Sequence, residues 1–130
     1  INRHRWDYQK LTTELEDKKS SHHQVFQQLT KLIKLRTAQP AFHPNATQFT
    51  LHLGLQLFGY WRQSQNRKQS IFCISNITDS PVQLPIGELN LIITEPWVDL
   101  LSDISITDLM AIIYLQPYQT VWITNKPGSF

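Results

Sequence analysis

The feature that most constrains this chain is a change of period between Leu32 and Pro44, in LIKLRTAQPAFHP, where helical spacing stops and strand spacing begins. Leu29, Leu32, Ile33 and Arg36 lie three and four apart, which sets their side chains on one helical face. Pro40 and Pro44 cannot continue a helix, and each biases its predecessor, Gln39 and His43, towards extended backbone. The chain therefore divides into a helical start and a strand-forming remainder.

Before the switch, Asp7 is placed to cap a short helix with Tyr8, Leu11 and Leu15 on one face, ending in the charged run Glu14 to Lys19. Ser20 and Ser21 offer a second start, and Ser21 with Gln24 fits a capping box. In the helix that follows, Val25, Phe26, Leu29, Leu32 and Ile33 form an apolar stripe. Such a stripe needs a surface to bury against, and the short preceding helix offers too little.

After the switch, Phe49, Leu51 and Leu53 alternate with Gln48, Thr50 and His52. Gly54 permits a tight connection to LQLFGYWR, apolar at nearly every position and so expected to be central. Ser64 to Ser70 reads as a hairpin loop. The strand QSIFCISN follows, then a turn at Thr78 to Pro81, the strand VQLPI and the looser LNLIITEP. Next come Trp97 to Leu101, a polar turn, MAIIYLQP, the alternating YQTVWI and a disordered-looking tail, NKPGSF. About seven short strands with frequent turn signals, and no helical crossover between them, predict a mainly β fold. The expected architecture is an antiparallel β-sandwich preceded by a segment of two helices.

Charge is uneven along the chain. Residues 1–39 carry eight Lys/Arg against four Asp/Glu and residues 40–130 four against six, giving +4 and −2, the stated net of +2. No run of five basic residues occurs and no aromatic platform interleaves with the basic ones, so nucleic acid is not an expected partner. Cys73 is the sole cysteine, which rules out an internal disulfide framework and fits a reducing, cytoplasmic compartment. Its alternate spacing with Ile71 suits a buried strand position. No apolar run approaches the ~20 residues of a membrane span. The chain opens on Ile1 rather than Met, which points to a fragment.

The familiar catalytic signatures are missing. The glycines at 54, 59, 87 and 128 make no phosphate loop, and no serine sits in a G-x-S-x-G elbow. His22 and His23 are adjacent and point apart on a helix, so they read as solvated residues near its N-terminus rather than metal ligands; no metal and no cofactor is expected. Asn45-Ala-Thr and Asn76-Ile-Thr match a glycosylation sequon that carries no meaning in a cytosolic chain. Asp79, Glu88, Asp99, Asp103 and Asp108 fall in expected turns without the fixed pairing that glycoside chemistry requires. Trp61, Trp97 and Trp122 invite a carbohydrate-stacking reading. Its rival is that Trp61 and Trp122 belong to the core, while Trp97 plugs one end of the sandwich and Asp99 accepts backbone donors in the next turn.

Four segments, INRHRWDYQKLTTELED, LIKLRTAQPAFHPNA, Trp97-Val98-Asp99-Leu100-Leu101-Ser102 and Leu115-Gln116-Pro117-Tyr118-Gln119-Thr120-Val121-Trp122, together resemble the C-terminal part of sucrose-phosphorylase-like enzymes of glycoside hydrolase family 13, the α-amylase clan. The resemblance implies a parent with a (β/α)8 barrel followed by a β-sandwich domain C. It makes residues 1–40 the end of the barrel, residues 41–126 domain C and residues 127–130 a tail. It further implies that Arg3 and His4 lie near the active-site face of the parent. The family's catalytic Asp, Glu and second Asp, and the Gly-Arg-Asp/Glu that precedes INRH in its members, are absent here, so no catalytic residue is carried over. The partner implied is the barrel of the parent, which would transfer glucose from sucrose or a related glucoside to phosphate, with sugar reached only through it; the alternatives are an α-amylase-type hydrolase as parent, or a non-catalytic carbohydrate-binding sandwich that stacks sugar on Trp61, Trp97 or Trp122. The apolar helix stripe would also serve a second copy of the chain in a homodimer.

Overall fold

The computed structural model describes residues 3–128; Ile1 and Asn2 of the INRH segment, and Ser129 and Phe130 of the tail, lie outside the described residues. Two compact units are present, Ile1–Arg36 and Thr37–Phe130.

The first unit holds α1 (Tyr8–Glu16) and α2 (Ser21–Thr37). Asp7 caps α1 as its spacing predicts, its Oδ1 accepting from the Lys10 amide at 2.9 Å. The start of α2 differs from expectation. Ser20, not Ser21, is the cap: its hydroxyl accepts from the His23 amide at 3.0 Å and donates to the Glu14 carbonyl, while Ser21 is already helical. Ser20 serves both helix ends at once, a benefit that the Ser21–Gln24 pair cannot match. No residue of α2 is buried, and its stripe stands open, with Val25 63% and Leu29 54% exposed.

The second unit is a mainly β, antiparallel sandwich. Its strands are β1 (Thr47–Leu51), β2 (Leu57–Gln63), β3 (Ser70–Asn76), β4 (Val82–Pro85), β5 (Trp97–Asp99), β6 (Ile104–Ile106), β7 (Ile112–Leu115) and β8 (Thr120–Thr124). Among the described residues they make one sheet in the order β1-β2-β3-β8-β5-β6 and a second of β4 and β7. Every pairing is antiparallel. Between the sheets lies the main core: Leu57, Phe72, Ile74, Val121 and Ile123 from the large sheet meet Val82, Leu84 and Leu115 from the small one.

Three local expectations need correction. β2 is central in the sheet as expected, but its apolar run is not buried throughout: Phe58 is exposed between buried Leu57 and Gly59, and it is β3 that is buried on both faces. The polar stretch after Leu101 contains β6, whose Ile104 and Ile106 pair with β5 across a bend at Asp103, where φ is 61°. The tail is tied down as far as Gly128, whose amide donates to Gln39 Oε1 at 2.7 Å.

That anchoring depends on Gln69, a buried side chain at the end of the hairpin loop. Its Oε1 accepts from the Ala41 amide at 2.9 Å, while its Nε2 donates to Gln39 Oε1 at 2.8 Å and to the Lys126 carbonyl at 2.6 Å. Arg62 secures the same corner from β2, donating from Nε to the Ala41 carbonyl at 2.9 Å and from Nη2 to that of His43 at 2.8 Å. The 3-10 turn Pro40–Phe42 is thereby fixed over the large sheet, and Ala41 and Phe42 become core residues.

Candidate functional site

The residues singled out from the sequence are taken unit by unit, beginning with the helical one. Arg3 and His4 are exposed in the first unit. The His4 ring meets Trp6 edge-on at 5.0 Å, and Trp6 meets His22 in the same way at 5.1 Å. His22 Nδ1 lies 3.4 Å from Glu14 Oε2, and His23 is half-buried, donating from Nδ1 to the Leu15 carbonyl at 2.6 Å. His22 stays exposed beside Glu14, as the sequence suggested, whereas His23 links α2 to the end of α1. Among the described residues no group of three His, Cys, Asp or Glu is placed to hold a metal ion.

The tryptophans occupy three different environments. Trp61 is enclosed between rings, stacked on Phe49 at 4.7 Å and on Phe72 at 5.7 Å, so both of its faces are occupied. Its buried Nε1 has no acceptor among the described residues. Trp97 is 3% exposed, meets Phe72 edge-on at 5.8 Å and donates from Nε1 to the Ile92 carbonyl at 3.0 Å. Trp122 lies on the other side of the large sheet, half-buried, with Phe42 edge-on at 5.0 Å. Of the three rings, only that of Trp122 retains accessible surface without a second ring stacked upon it.

Asp99 is buried beside these rings, and sequence reasoning assigned it the right chemistry but too small a reach. Its Oδ1 accepts from the Leu101 amide at 3.3 Å and, across the sheet, from the Trp122 amide at 2.8 Å; its Oδ2 accepts from Ser102 Oγ at 2.6 Å. Three of its roughly four acceptor sites are taken, two by the turn that follows β5 and one by β8, so the carboxylate brackets that corner of the sheet. Asp79, Asp103 and Asp108 sit in exposed connections, and Glu88, expected in a turn, is exposed on the 3-10 helix Ile86–Leu89.

Cys73 is buried, and desolvation pushes its thiol up to about 11, against the smaller opposing effects of a Tyr60 hydrogen bond and the Arg62 charge. A thiol held protonated in this way is a poor nucleophile at neutral pH. Among the described residues the sandwich has several clefts. One of about 600 Å³ is lined by Ile93, Pro96, Trp97, Ile106 and Met110; a smaller one of about 210 Å³ is lined by Ile104, Ile106, Ile113, Tyr114 and Val121. Both are mainly apolar; two carboxylates, Glu95 and Asp108, line the larger one and Asp99 the smaller.

The chain has relatives among known proteins. It is 32% identical over 126 residues to glucosylglycerate phosphorylase of Allomeiothermus silvanus, a match covering 96% of this chain and 20% of that one. The chain resembles the C-terminal part of a sucrose-phosphorylase-like enzyme of glycoside hydrolase family 13. It spans about a fifth of the length of the curated relative it matches. Among solved structures, AmyP in complex with maltose superposes with a TM-score of 0.64 at 18% identity, covering 83% of this chain and 22% of that one. A glutamate-to-glutamine variant of AmyP in complex with maltotriose gives a TM-score of 0.65 at 17% identity, covering 87% and 23%. At such identities the likeness is one of fold. No protein-family model matches the chain.

Proposed function

We propose that this chain is the non-catalytic C-terminal part of a family 13 phosphorylase, with residues 1–40 ending its (β/α)8 barrel, residues 41–126 forming domain C and residues 127–130 a tail. The observation that carries this reading is the 32% identity to glucosylglycerate phosphorylase, which runs through 96% of the chain. The parent transfers a glucosyl group from sucrose or a related glucoside to phosphate, with retention through a covalent aspartyl intermediate on barrel carboxylates that this chain lacks. The relative's name makes glucosylglycerate the first donor to try.

Within that parent the chain has a structural role. The open stripe of Val25, Phe26, Leu29, Leu32 and Ile33 packs on the barrel, as an amphipathic helix of this kind requires a partner layer. Arg3 and His4 lie close to the barrel face where active sites are built, without a catalytic task of their own. No helix among the described residues is long and apolar enough to cross a membrane, and the single buried cysteine suits a cytoplasmic enzyme.

The test is phosphorolysis by the full-length parent. Supplied with phosphate and either glucosylglycerate or sucrose, it should release glucose 1-phosphate, while these 130 residues alone should release none. Product from the 130-residue chain, or only hydrolysis by the parent, would overturn the reading.

A further inference from the structure

We infer that the cleft between the β2–β3 hairpin loop and the segment after β8 binds a phosphate group, as the free ion or as a phosphate monoester, on Arg67, Lys68 and Lys126. Residues 40–130 carry four Lys/Arg against six Asp/Glu, yet three of those four cations gather here from segments far apart in sequence. The fourth, Arg62, is engaged by the Ala41 and His43 carbonyls. The cleft measures about 430 Å³, and Glu95, Pro96 and Asn125 complete its lining. All three cationic side chains are exposed, and among the described residues none of them pairs with a carboxylate.

Hydrogen bonds hold the cleft in shape through the backbone of these residues and leave their charged ends unengaged. The Arg67 amide donates to the Ser64 carbonyl at 2.8 Å and the Lys68 amide to Asn66 Oδ1 at 3.1 Å, while the Lys126 carbonyl accepts from buried Gln69 Nε2 at 2.6 Å. Asn125 joins the walls. Its Oδ1 accepts from the Ser70 amide at 2.8 Å, and its Nδ2 donates to the Lys68 carbonyl at 3.3 Å and to Glu95 Oε2. Arg67 stands in left-handed backbone with φ of 59°, where Gly or Asn would sit with less strain. Arginine at that position supplies a charge that the turn itself does not require.

The charge balance selects the ligand. Three cations against one carboxylate suit the charge of about −1.5 to −2 that a phosphate monoester carries at pH 7. Lys68 and Lys126 act as point charges, and the Arg67 guanidinium offers a fork for two phosphate oxygens. Of the lining residues only Pro96 is apolar, so the cleft has no platform on which a base or sugar ring would stack. With Arg62 engaged elsewhere, no basic track continues from it along which a nucleic-acid backbone could lie.

This site is independent of the glucosyl transfer proposed above, and lysine acetylation of the full-length protein, followed by mass spectrometry, tests it. Rates at Lys68 and Lys126 are divided by those at exposed Lys18 and Lys19, in sodium chloride, orthophosphate or glucose 1-phosphate at equal ionic strength. With ligand about tenfold above a millimolar dissociation constant, both ratios should fall at least threefold. A fall in orthophosphate identifies the free ion and a fall confined to glucose 1-phosphate identifies the ester; either supports the site. Arg67→Asn, which suits the left-handed backbone, should abolish the fall while both lysines remain to report it. Equal ratios in all three salts, a fall that survives Arg67→Asn, or lysines already unreactive in chloride would overturn the inference.

Discussion

Replacing Asn76 should cost more stability than any other single polar substitution in the sandwich. The residue ends β3 and is buried. The two hydrogens of its Nδ2 are shared among the carbonyls of Ser80 at 2.8 Å, Leu115 at 3.2 Å and Gln116 at 2.9 Å, and its Oδ1 accepts from the amide and hydroxyl of Thr78 at 2.9 and 2.8 Å. One amide thus ties the large sheet to the ends of β4 and β7. Counting a net contribution of about 0.5–1.5 kcal/mol per bond, and discounting those at the edge of solvent, Asn76→Ala should lose about 3–4 kcal/mol. For a domain of this size that lowers the melting temperature by at least about 12 °C.

Asn76→Asp sharpens the test because it preserves shape while reversing the chemistry. A carboxylate would face three carbonyl oxygens, so its folded pKa would rise above the unfolded value of about 3.9. A raised folded pKa contributes stability below the unfolded value and loses it as pH rises. The deficit against the parent sequence should therefore be full at pH 7 and shrink towards pH 4. Urea unfolding followed by circular dichroism at both pH values measures it. A loss under about 1 kcal/mol for Asn76→Ala, or a pH-independent deficit for Asn76→Asp, would refute the assigned orientation of the amide.

Other substitutions probe neighbouring parts of the account. Asp99→Ala strips acceptors from the Trp122 and Leu101 amides and should cost about 2–3 kcal/mol in chemical denaturation, whereas Asp99→Asn, which keeps one oxygen, should cost about half as much. Cys73, its thiol raised to about 11, should carry roughly a thousandth of its population as thiolate at pH 8, three units lower, and should react with iodoacetamide far more slowly folded than in urea; equal rates would contradict its burial. At Gly128 an added Cβ would collide with the Ala38 carbonyl, so Gly128→Ala should release the C-terminal segment and speed amide exchange there, leaving the strands protected.

The helices, the switch at Pro40 and most strands were legible because each is written in local periodicity. Asp7, Leu11 and Leu15 are close in sequence and close in space, and so are Phe49 and Leu51. β6 was obscured because three residues are too few for alternation to outweigh Ser102 and Asp103, which look like turn residues and do form one. The sheet order was beyond local reading, since β3 pairs with β8 and β4 with β7 across long stretches of chain. The buried polar hubs were hidden for a different reason. Gln69 and Asn76 sit at strand ends, where a polar side chain ordinarily marks solvent, and only the folded chain brings the groups they satisfy within reach. Asn76 had been conspicuous as a sequon, yet its amide is consumed by three backbone carbonyls.

The same distinction applies to function. On the proposed reading, the exposed helix stripe and the sheet buried on both sides are the faces that a catalytic barrel would cover. The most direct test is to sequence the reading frame upstream of Ile1. The account predicts a (β/α)8 barrel bearing the catalytic Asp, Glu and second Asp, with Gly-Arg-Asp/Glu immediately before INRH; a start codon or an unrelated domain in that place would contradict it.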